Sequence, residues 1–279
     1  MQRDCDNCKN VLPRHSDTCP HCGWPGIYPN VRDAEHSTEK QALLDRYREQ
    51  LARARSRGCD GALADFEKAV GRSNAVMVKR LSQTFSLAES DKNLVATYGS
   101  QIQAGIRLPD ENGWDVLRAV AEAILFPHYG NKIHYAALSL DGVGVLGPYG
   151  ECSITLKEQM IIARATVFDG NSASHLKNGS PLPGSRALWP ERPKLAVAKL
   201  GEQIIADTRA DEYPQILLRQ GEPGADESFV EVHVYGPMSV RTFERVVVRM
   251  ANLSEAQRAL VEVLREYLER YNVPLEKKQ

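Results

Sequence analysis

Apolar residues recur at intervals of three and four along several stretches of the chain, a pattern that predicts amphipathic helices. The clearest stretch covers 39–57, where apolar side chains share one face among arginines and glutamates. Thr38 and Gln41 have the spacing of a capping box at its start, and Gly58 ends it. The same periodicity predicts further helices at 60–71, 74–88, 92–105, 114–125, 193–208 and 254–271. Asn112 is expected to cap the helix at 114–125, and Ser254 with Gln257 has the spacing of a capping box at the start of the last helix.

Beyond residue 129 the pattern changes to short apolar or alternating runs, which predict β-strands. These runs lie at 133–140, 152–156, 161–168, 216–218 and 229–235. Strands and helices do not alternate, and no G-x-G-x-x-G segment opens a helix after a strand, so a doubly wound nucleotide-binding fold is not expected. We therefore expect an α+β protein whose sheet is mixed or antiparallel, built of short strands and flanked by helices.

Four of the six cysteines lie within the first 22 residues, with the spacing C-x2-C-x10-C-x2-C. They are Cys5, Cys8, Cys19 and Cys22. Each C-x2-C pair can turn two thiolates toward one ion, and two such pairs complete the tetrahedral shell of zinc. The alternative is two disulfides in a secreted protein, which the spacing and the lack of an apolar stretch in MQRDCDNCKN disfavour. Because four thiolates close the coordination shell, we expect Zn²⁺ to be structural rather than catalytic.

Two segments rich in glycine and proline divide the chain. Residues 23–36 are interpreted as a linker. Residues 169–193 are interpreted as a loop that caps a site, because long loops without secondary structure are uncommon inside a compact domain. The predicted organisation is thus a zinc ribbon at 1–30, a helical region at 37–126 and an α+β domain at 129–279.

Composition and charge narrow the classes of function. The 35 Lys and Arg residues nearly balance the 36 Asp and Glu residues, without the basic excess typical of proteins that bind nucleic-acid phosphates. No uncharged apolar run approaches about 18 residues, so no membrane span is expected. Cys59 and Cys152 stand alone and are interpreted as free thiols in a reducing cytoplasm. Two predicted helices carry wide apolar stripes, which favours a homo-oligomer.

The strand at 229–235 separates by parity into an apolar face and a polar face. Valines occupy its even positions, whereas Glu231 and His233 lie on the other face between Phe229 and Tyr235. The aromatic neighbours are expected to raise the pKa of the carboxylate between them and to offer a face on which the ring of a ligand can stack. The alternative interpretation is a half-exposed strand with an incidental ion pair.

Two other predicted strands carry polar side chains on defined faces. In 133–140, Tyr135 and Ser139 lie on one side and His134 lies on the other. Arg164 lies in the middle of 161–168, where it can pair with a carboxylate or grip a phosphate. The chain has no G-x-S-x-G elbow, no Walker loop and no H-E-x-x-H pair, which excludes the most easily recognised enzyme classes.

Three stretches together resemble ADP-ribosyltransferase-like proteins: IHYAALSLDG at 133–142, YGECSITLKEQMIIARATVFDGNS at 149–172 and FVEVHVYGP at 229–237. In that family a glutamate on a late strand holds the nicotinamide ribose of NAD and stabilises an oxocarbenium-like transition state. The resemblance assigns this role to Glu231, with His233 in the companion place.

The resemblance also implies which residues hold NAD at the other strands. His134 with Tyr135 takes the place of the early-strand element that binds NAD. Ser153 with Thr155 takes the place of the hydroxyl strand that braces the site, and Ser139 is the alternative for that role.

The first functional hypothesis that follows is NAD-dependent ADP-ribosyl transfer to a macromolecular acceptor, or NAD glycohydrolysis when water is the acceptor. In this hypothesis Tyr135 or Tyr235 stacks on nicotinamide, Arg164 holds the pyrophosphate, and the zinc ribbon presents the acceptor. Enzymes of this kind are often bacterial toxins or phage-defence effectors, which the resemblance allows for this chain.

Two other hypotheses stay open. One is a zinc-ribbon adaptor that binds a protein partner or a small ligand without turnover. It is favoured by the absence of the aromatic-Arg-Gly segment with which the family grips NAD. The other is a nucleic-acid-binding protein that uses the ribbon and the basic helix at 39–57, which the neutral charge disfavours.

Overall fold

The computed structural model describes residues 3–105, 113–144, 149–172, 182–219 and 228–279. The strands are β1 (Arg3–Asp4), β2 (Val11–Leu12), β3 (Asn74–Lys79), β4 (Ile133–Ser139), β5 (Cys152–Leu156), β6 (Ala165–Phe168), β7 (Arg186–Leu188), β8 (Leu218–Arg219), β9 (Ser228–Phe229), β10 (Glu231–Tyr235), β11 (Phe243–Arg249) and β12 (Leu275–Lys278). The helices are α1 (Pro29–Ala34), α2 (Ser37–Ser56), α3 (Asp60–Val70), α4 (Leu81–Glu89), α5 (Tyr98–Gln103), α6 (Gly113–Leu125), α7 (Glu158–Ile161), α8 (Arg192–Leu200), α9 (Tyr213–Leu217) and α10 (Glu255–Glu269). Short 3₁₀-helices lie at Gly130–Lys132, Trp189–Glu191, Gly201–Gln203 and Val240–Thr242.

Eight of these strands form one sheet in the order β12-β11-β5-β3-β4-β10-β6-β7. Neighbouring strands are antiparallel, except that β11 and β12 run parallel. Strand β10 lies between β4 and β6, with His233 opposite Tyr135 on one side and Thr166 on the other. The α+β class predicted from the sequence is confirmed, and the sheet is a mixed one.

One face of the sheet carries the main hydrophobic core. The three valines of 230–234 are fully buried there, as the parity of this strand predicts. Helices α3, α4, α8 and α10 contribute their apolar sides to the same cluster. Val261, Leu264 and Leu268 of α10 are buried within the chain, whereas Val263 of the predicted apolar stripe is 41% exposed.

The opposite face of the sheet carries a smaller, aromatic cluster. Leu125 and Phe126 at the end of α6 pack there with Tyr129, Phe168 and Tyr235. Because side chains alternate along a strand, the odd-numbered residues of β10 point to this face and not to the main core. The polar residues singled out on this strand thus lie under α6 and its following turn.

The helix predicted at 74–88 is wrong in its first half. Residues 74–79 form β3, which pairs with β4 and β5 in the middle of the sheet, and the helix begins only at Leu81. The run Ala75 to Val78 is apolar throughout, as in a strand buried on both faces, and such a run has no helical or alternating period to identify it. The segment 37–126 thus contributes a central strand to the sheet formed by 129–279.

Other predicted boundaries change for similar reasons. The linker expected at 23–36 contains α1, whose Asn30, Val31 and Ala34 are buried against the rest of the chain. Helix α2 is capped by the ring of His36, which accepts from the Thr38 backbone, and not by a capping box. The capping box predicted at the start of the last helix, Ser254 with Gln257, is confirmed.

Several further segments are shorter than predicted or were not anticipated. Only Tyr98–Gln103 is helical within 92–105, and the helix expected at 193–208 ends at Leu200. Of the strand expected at 161–168, Ile161 ends α7 and only Ala165–Phe168 form β6, and the run at 216–218 belongs mostly to α9. The sequence analysis missed β11 and β12, as well as β7 within the predicted loop at 169–193. Residues 173–181 of that loop and Asn112, expected to cap α6, lie outside the described residues.

Candidate functional site

The four amino-terminal cysteines form a cluster that can hold a metal ion, as the sequence predicts. Their sulfur atoms all lie within 4.8 Å of one another. The Sγ atoms of Cys5 and Cys22 are 3.7 Å apart, and those of Cys8 and Cys19 are 3.6 Å apart. Zn–S bonds of about 2.3 Å in a tetrahedron place sulfur atoms about 3.8 Å apart, so the cluster fits this geometry.

Two matching backbone turns shape the cysteine cluster. The Lys9 N–H donates to the carbonyl of Cys5 at 3.0 Å, and the Gly23 N–H donates to the carbonyl of Cys19 at 2.9 Å. Lys9 and Gly23 both have positive φ, 61° and 69°, so each turn reverses directly after its second cysteine. Hydrogen bonds from Asn10 lower the pKa of Cys8 to about 6, which favours the thiolate that a metal requires.

The candidate catalytic pair, Glu231 and His233, lies on β10 on the aromatic face of the sheet. Glu231 Oε2 accepts a hydrogen bond from the Ser172 backbone N–H at 2.8 Å and lies 3.0 Å from Nε2 of His233. Because a carboxylate only accepts, His233 carries its proton on Nε2. Glu231 is 2% exposed and His233 is 1% exposed, so the alternative of a half-exposed strand is wrong.

The electrostatics of the pair differ from the expectation. Burial opposes ionisation of Glu231, yet its pKa is lowered, because the hydrogen bonds from His233 and Ser172 and the charge of Arg118 outweigh desolvation. The raised pKa expected from the sequence is therefore wrong for Glu231. Burial lowers the pKa of His233 despite its carboxylate partner. At neutral pH the pair is a carboxylate hydrogen-bonded to a neutral imidazole.

Arg118 and Glu122 of α6 complete the cluster, and the sequence analysis missed both. The Arg118 guanidinium lies 4.3 Å from the centroid of the Tyr135 ring, and its Nη1 is 3.9 Å from Glu231 Oε1. The Tyr135 hydroxyl donates to Glu122 Oε1 at 2.9 Å. The spacing i, i+4 places Arg118 and Glu122 on one face of α6, which is the only sequence signal that links them.

Aromatic rings enclose the His233 imidazole on three sides. Its ring centroid lies 4.8 Å from that of Phe126, 5.5 Å from that of Tyr135 and 5.5 Å from that of Phe168. Burial also raises the pKa of Tyr135 well above its ordinary value, so its hydroxyl stays protonated. The result is a low-dielectric compartment in which each charge acts strongly on its neighbours.

Two polar atoms beside Glu231 lack a hydrogen-bond partner within the described ranges. They are Nη1 of Arg118 and Oγ of Ser172, both shielded from solvent. Buried polar atoms are paired in the great majority of cases, and an unpaired one requires a specific explanation. Here a donor and a hydroxyl flank the same carboxylate, an arrangement that can bind a ligand carrying hydroxyl groups.

Some residues predicted for the site lie elsewhere. His134 points to the opposite face of the sheet from Tyr135, toward the main core. Ser139 is committed to a turn, where its Oγ donates to Asp141 and accepts from the Gly142 N–H at 3.1 Å. Ser153 and Thr155 lie on β5, which is separated from β10 by β3 and β4 and is thus about 14 Å away.

Arg164 and Tyr235 are held by contacts within the fold. Arg164 Nη1 donates to the carbonyls of Tyr235 at 2.6 Å and of Pro237 at 3.0 Å, so backbone carbonyls engage the guanidinium that was predicted to hold a pyrophosphate. The Tyr235 hydroxyl donates to Asp17 of the cysteine-bearing segment at 3.1 Å. Of the residues predicted for the site, Glu231, His233 and Tyr135 are the ones that come together.

Two clefts open on the surface formed by the described residues. One, of about 600 Å³, lies between the cysteine-bearing segment and α1, and its lining includes Arg14, Arg32 and Arg186. The other, of about 280 Å³, lies beside β5 and β11 and includes Ser153 and Arg249 in its lining. Glu231 and His233 line neither cleft.

Comparison with known proteins adds no family assignment. No protein-family model matches the chain, and no curated protein matches it significantly. Across the part of the chain that the structure describes, no helix has both the length and the apolar character needed to cross a membrane. The candidate site therefore rests on its own geometry: a buried Glu231–His233 pair, a cation from α6 and a cluster of four cysteines that can hold a metal ion.

Proposed function

We propose that the chain cleaves the N-glycosidic bond of NAD and transfers ADP-ribose to a macromolecular acceptor or to water, with Glu231 as the catalytic residue. The observation that carries this proposal is the ionised Glu231 carboxylate, which is buried among aromatic rings beside Arg118 Nη1 and Ser172 Oγ, two atoms that make no hydrogen bond to any described residue. Burying charged groups lowers the stability of a fold relative to apolar packing, so such a cluster favours a functional role.

The chemistry follows from the placement of the carboxylate. Breaking a glycosidic bond develops positive charge on the sugar ring, and a carboxylate in a low-dielectric site stabilises that charge. Glu231 Oε2 already accepts from Ser172 and lies against His233, so Oε1 is the oxygen directed toward a ribose hydroxyl. His233 orients the carboxylate, and Arg118 lies close enough to Oε1 to donate to the same ligand.

Binding of NAD requires a rearrangement of side chains, because the Glu231–His233 pair is closed off from solvent. The ring of Tyr135, which now lies against Arg118, offers the nearest face on which a flat nicotinamide ring can stack. We therefore expect NAD to raise the melting temperature and to perturb the aromatic near-UV circular dichroism of the protein.

The test is nicotinamide release by the purified, zinc-loaded chain incubated with NAD, with and without acceptor proteins. Glu231→Gln keeps the size of the side chain and removes its charge, and we expect release to fall by about 100-fold or more. Glu158→Gln is the matched control, since Glu158 accepts from Trp189 on another part of the fold. If the parent protein releases no nicotinamide and NAD leaves its melting temperature unchanged, the proposal is wrong.

We further propose that the four cysteines hold one structural Zn²⁺ ion and that the protein acts in the reducing cytoplasm. A four-thiolate shell has no open position for a substrate, and the remaining two cysteines are unpaired and buried. Metal analysis should find about one zinc ion per chain. Cys8→Ser should lose the ion and Cys59→Ser should keep it. Retention of full zinc content by Cys8→Ser would contradict this assignment.

The runner-up function is a zinc-ribbon adaptor that binds a protein partner without turnover. The observation that favours it is Trp24, which lies two residues after Cys22 and is 51% exposed, with Val11 also exposed. Exposed aromatic side chains are enriched at protein interfaces. An adaptor would bind its partner through Trp24, so Trp24→Ala would abolish binding while nicotinamide release would be absent from the parent protein.

A further inference from the structure

Asn30 of α1 links the cysteine-bearing segment to the strand that carries the candidate catalytic pair. Its side chain is a polar amide and the helix has only six residues, yet Asn30 is 2% exposed. Its Nδ2 donates to the carbonyl of Arg164 at 3.0 Å, to Thr166 Oγ1 at 3.3 Å and to the carbonyl of His233 at 3.3 Å. One side chain thus ties α1 to β6 and β10 at the register where His233 and Thr166 are paired.

The segment between the two cysteine pairs holds α1 in turn. Nη2 of Arg32, two residues after Asn30, donates to the carbonyls of Pro13 at 3.2 Å, Arg14 at 2.7 Å and Ser16 at 2.7 Å. Arg14 Nε also donates to Asp33 at 2.9 Å. Residues 13–16 lie between Cys8 and Cys19, so a metal ion that joins the two cysteine pairs fixes both ends of the loop that Arg32 binds.

A second contact joins the same loop directly to β10. Asp17 accepts from the Tyr235 hydroxyl at 3.1 Å, and Lys132 Nζ lies 3.7 Å from the same carboxylate oxygen. The Tyr28 and Tyr235 rings pack with their centroids 5.3 Å apart. Tyr235 and His233 are two residues apart and share one face of the strand, so the segment supports β10 at His233 and at Tyr235.

We propose that Asn30 is a positioning residue for the Glu231–His233 pair and that metal binding at the four cysteines keeps Asn30 in place. Only the expected effect of Asn30 on activity rests on the proposed function; its positioning of the pair and the role of the metal do not. The metal site then acts on the catalytic pair through the hydrogen bonds of α1, without contributing a ligand to the substrate. Loss of the metal releases the loop at 13–16, and α1 and β10 lose a common support.

The test replaces Asn30 by a side chain of equal size without a donor. In Asn30→Asp, carboxylate oxygens face three acceptor oxygens, and we expect the amides of 231–235 and 165–168 to exchange hydrogen at least about tenfold faster. Amides of 243–249, on the far side of the sheet, should change by less than about twofold. Glu35→Gln on the same segment is the control, since Glu35 pairs with Arg3 at the surface and should change neither region.

A titration of the His233 imidazole by NMR separates positioning from general stability. In the parent protein the ring faces Glu231, Arg118 and Arg186 and is shielded from solvent. In Asn30→Asp its pKa should move toward the ordinary histidine value as the enclosure loosens. Unchanged exchange and an unchanged titration would overturn the proposal, and so would faster exchange that is uniform over the whole sheet.

A measurement on the unmutated chain covers the case in which Asn30→Asp does not fold. After a chelator removes the metal, faster exchange confined to α1, β6 and β10 supports the proposal, whereas no change or a uniform change overturns it. These readouts need no substrate. If the parent protein releases no nicotinamide, the proposed function fails while exchange and titration still decide whether Asn30 and the metal position the pair.

Discussion

His134 provides a quantitative test of the packing between β4 and the main core. The side chain is 4% exposed, and its Nδ1 has no hydrogen-bond partner within the described residues. Burial, together with the charges of Lys79 and Arg164, lowers its pKa to about 4. The folded protein therefore keeps His134 neutral over a pH range in which the unfolded chain binds a proton.

The magnitude follows from the difference between the two pKa values. From 6.5 in the unfolded chain to about 4 in the folded one, the difference is worth about 3 kcal/mol at about 1.36 kcal/mol per pKa unit. The contribution of His134 to the free energy of unfolding is complete above pH 6.5. It decreases as the pH falls toward 4, because only the unfolded chain gains the proton in that range. Between pH 7 and pH 5 we expect His134 alone to lower the free energy of unfolding by about 2 kcal/mol.

Urea denaturation of the parent protein and of His134→Leu, followed by circular dichroism at pH 7, 6 and 5, measures this term. The buried His233, whose pKa is also lowered, contributes in the same direction over this pH range, so the informative quantity is the difference between the two proteins at each pH. The variant should lose about 2 kcal/mol less than the parent between pH 7 and pH 5. His15→Asn, at an exposed histidine, should follow the parent. Parallel curves for parent and His134→Leu would refute the reasoning.

Three further substitutions test other contacts, each by urea denaturation at neutral pH. Tyr235→Phe removes the hydrogen bond to Asp17 and should cost about 1 kcal/mol; no change would mean that this contact does not stabilise the docked segment. Arg118→Met removes the cation beside Glu231 and should cost about 3 kcal/mol, while a loss below about 1 kcal/mol would contradict the buried ion pair. Gly150→Ala, where φ is 137° and a Cβ would lie 2.3 Å from the Lys79 carbonyl, should cost about 3 kcal/mol; Gly61→Ala, in open space within α3, should be neutral or stabilising.

The sequence was most informative where the residues of a site lie close together along the chain. Only two or ten residues separate successive cysteines of the four, and local turns are enough to bring them together. The parity of 229–235 likewise placed Glu231 and His233 on one face, because the alternation of a strand is a local property. The boundary of the last helix was predictable at Ser254, since its cap uses a side chain three residues away.

The site residues that the sequence did not predict depend on packing between segments that are far apart along the chain. Arg118 belongs to a helix whose pattern predicts an amphipathic face, and nothing in that pattern shows that the face lies over Tyr135 and Glu231. The sign of the Glu231 pKa shift also depended on these neighbours: burial alone predicts a rise, whereas the surrounding donors and charges produce a fall. Asn30 lay within a presumed linker, and its role became visible only when α1 was placed against β10.

The central position of β3 determines how the chain can be divided. A fragment that starts at residue 129 would contain β4 and β5 but not the strand that pairs with both of them. Each of those strands would then present a row of unpaired backbone N–H and carbonyl groups in the interior of the sheet, a surface that recruits other chains. We expect such a fragment to aggregate even though it retains Glu231, His233 and Tyr135, so studies of the isolated carboxy-terminal half require the segment that begins at Asn74 to be supplied with it.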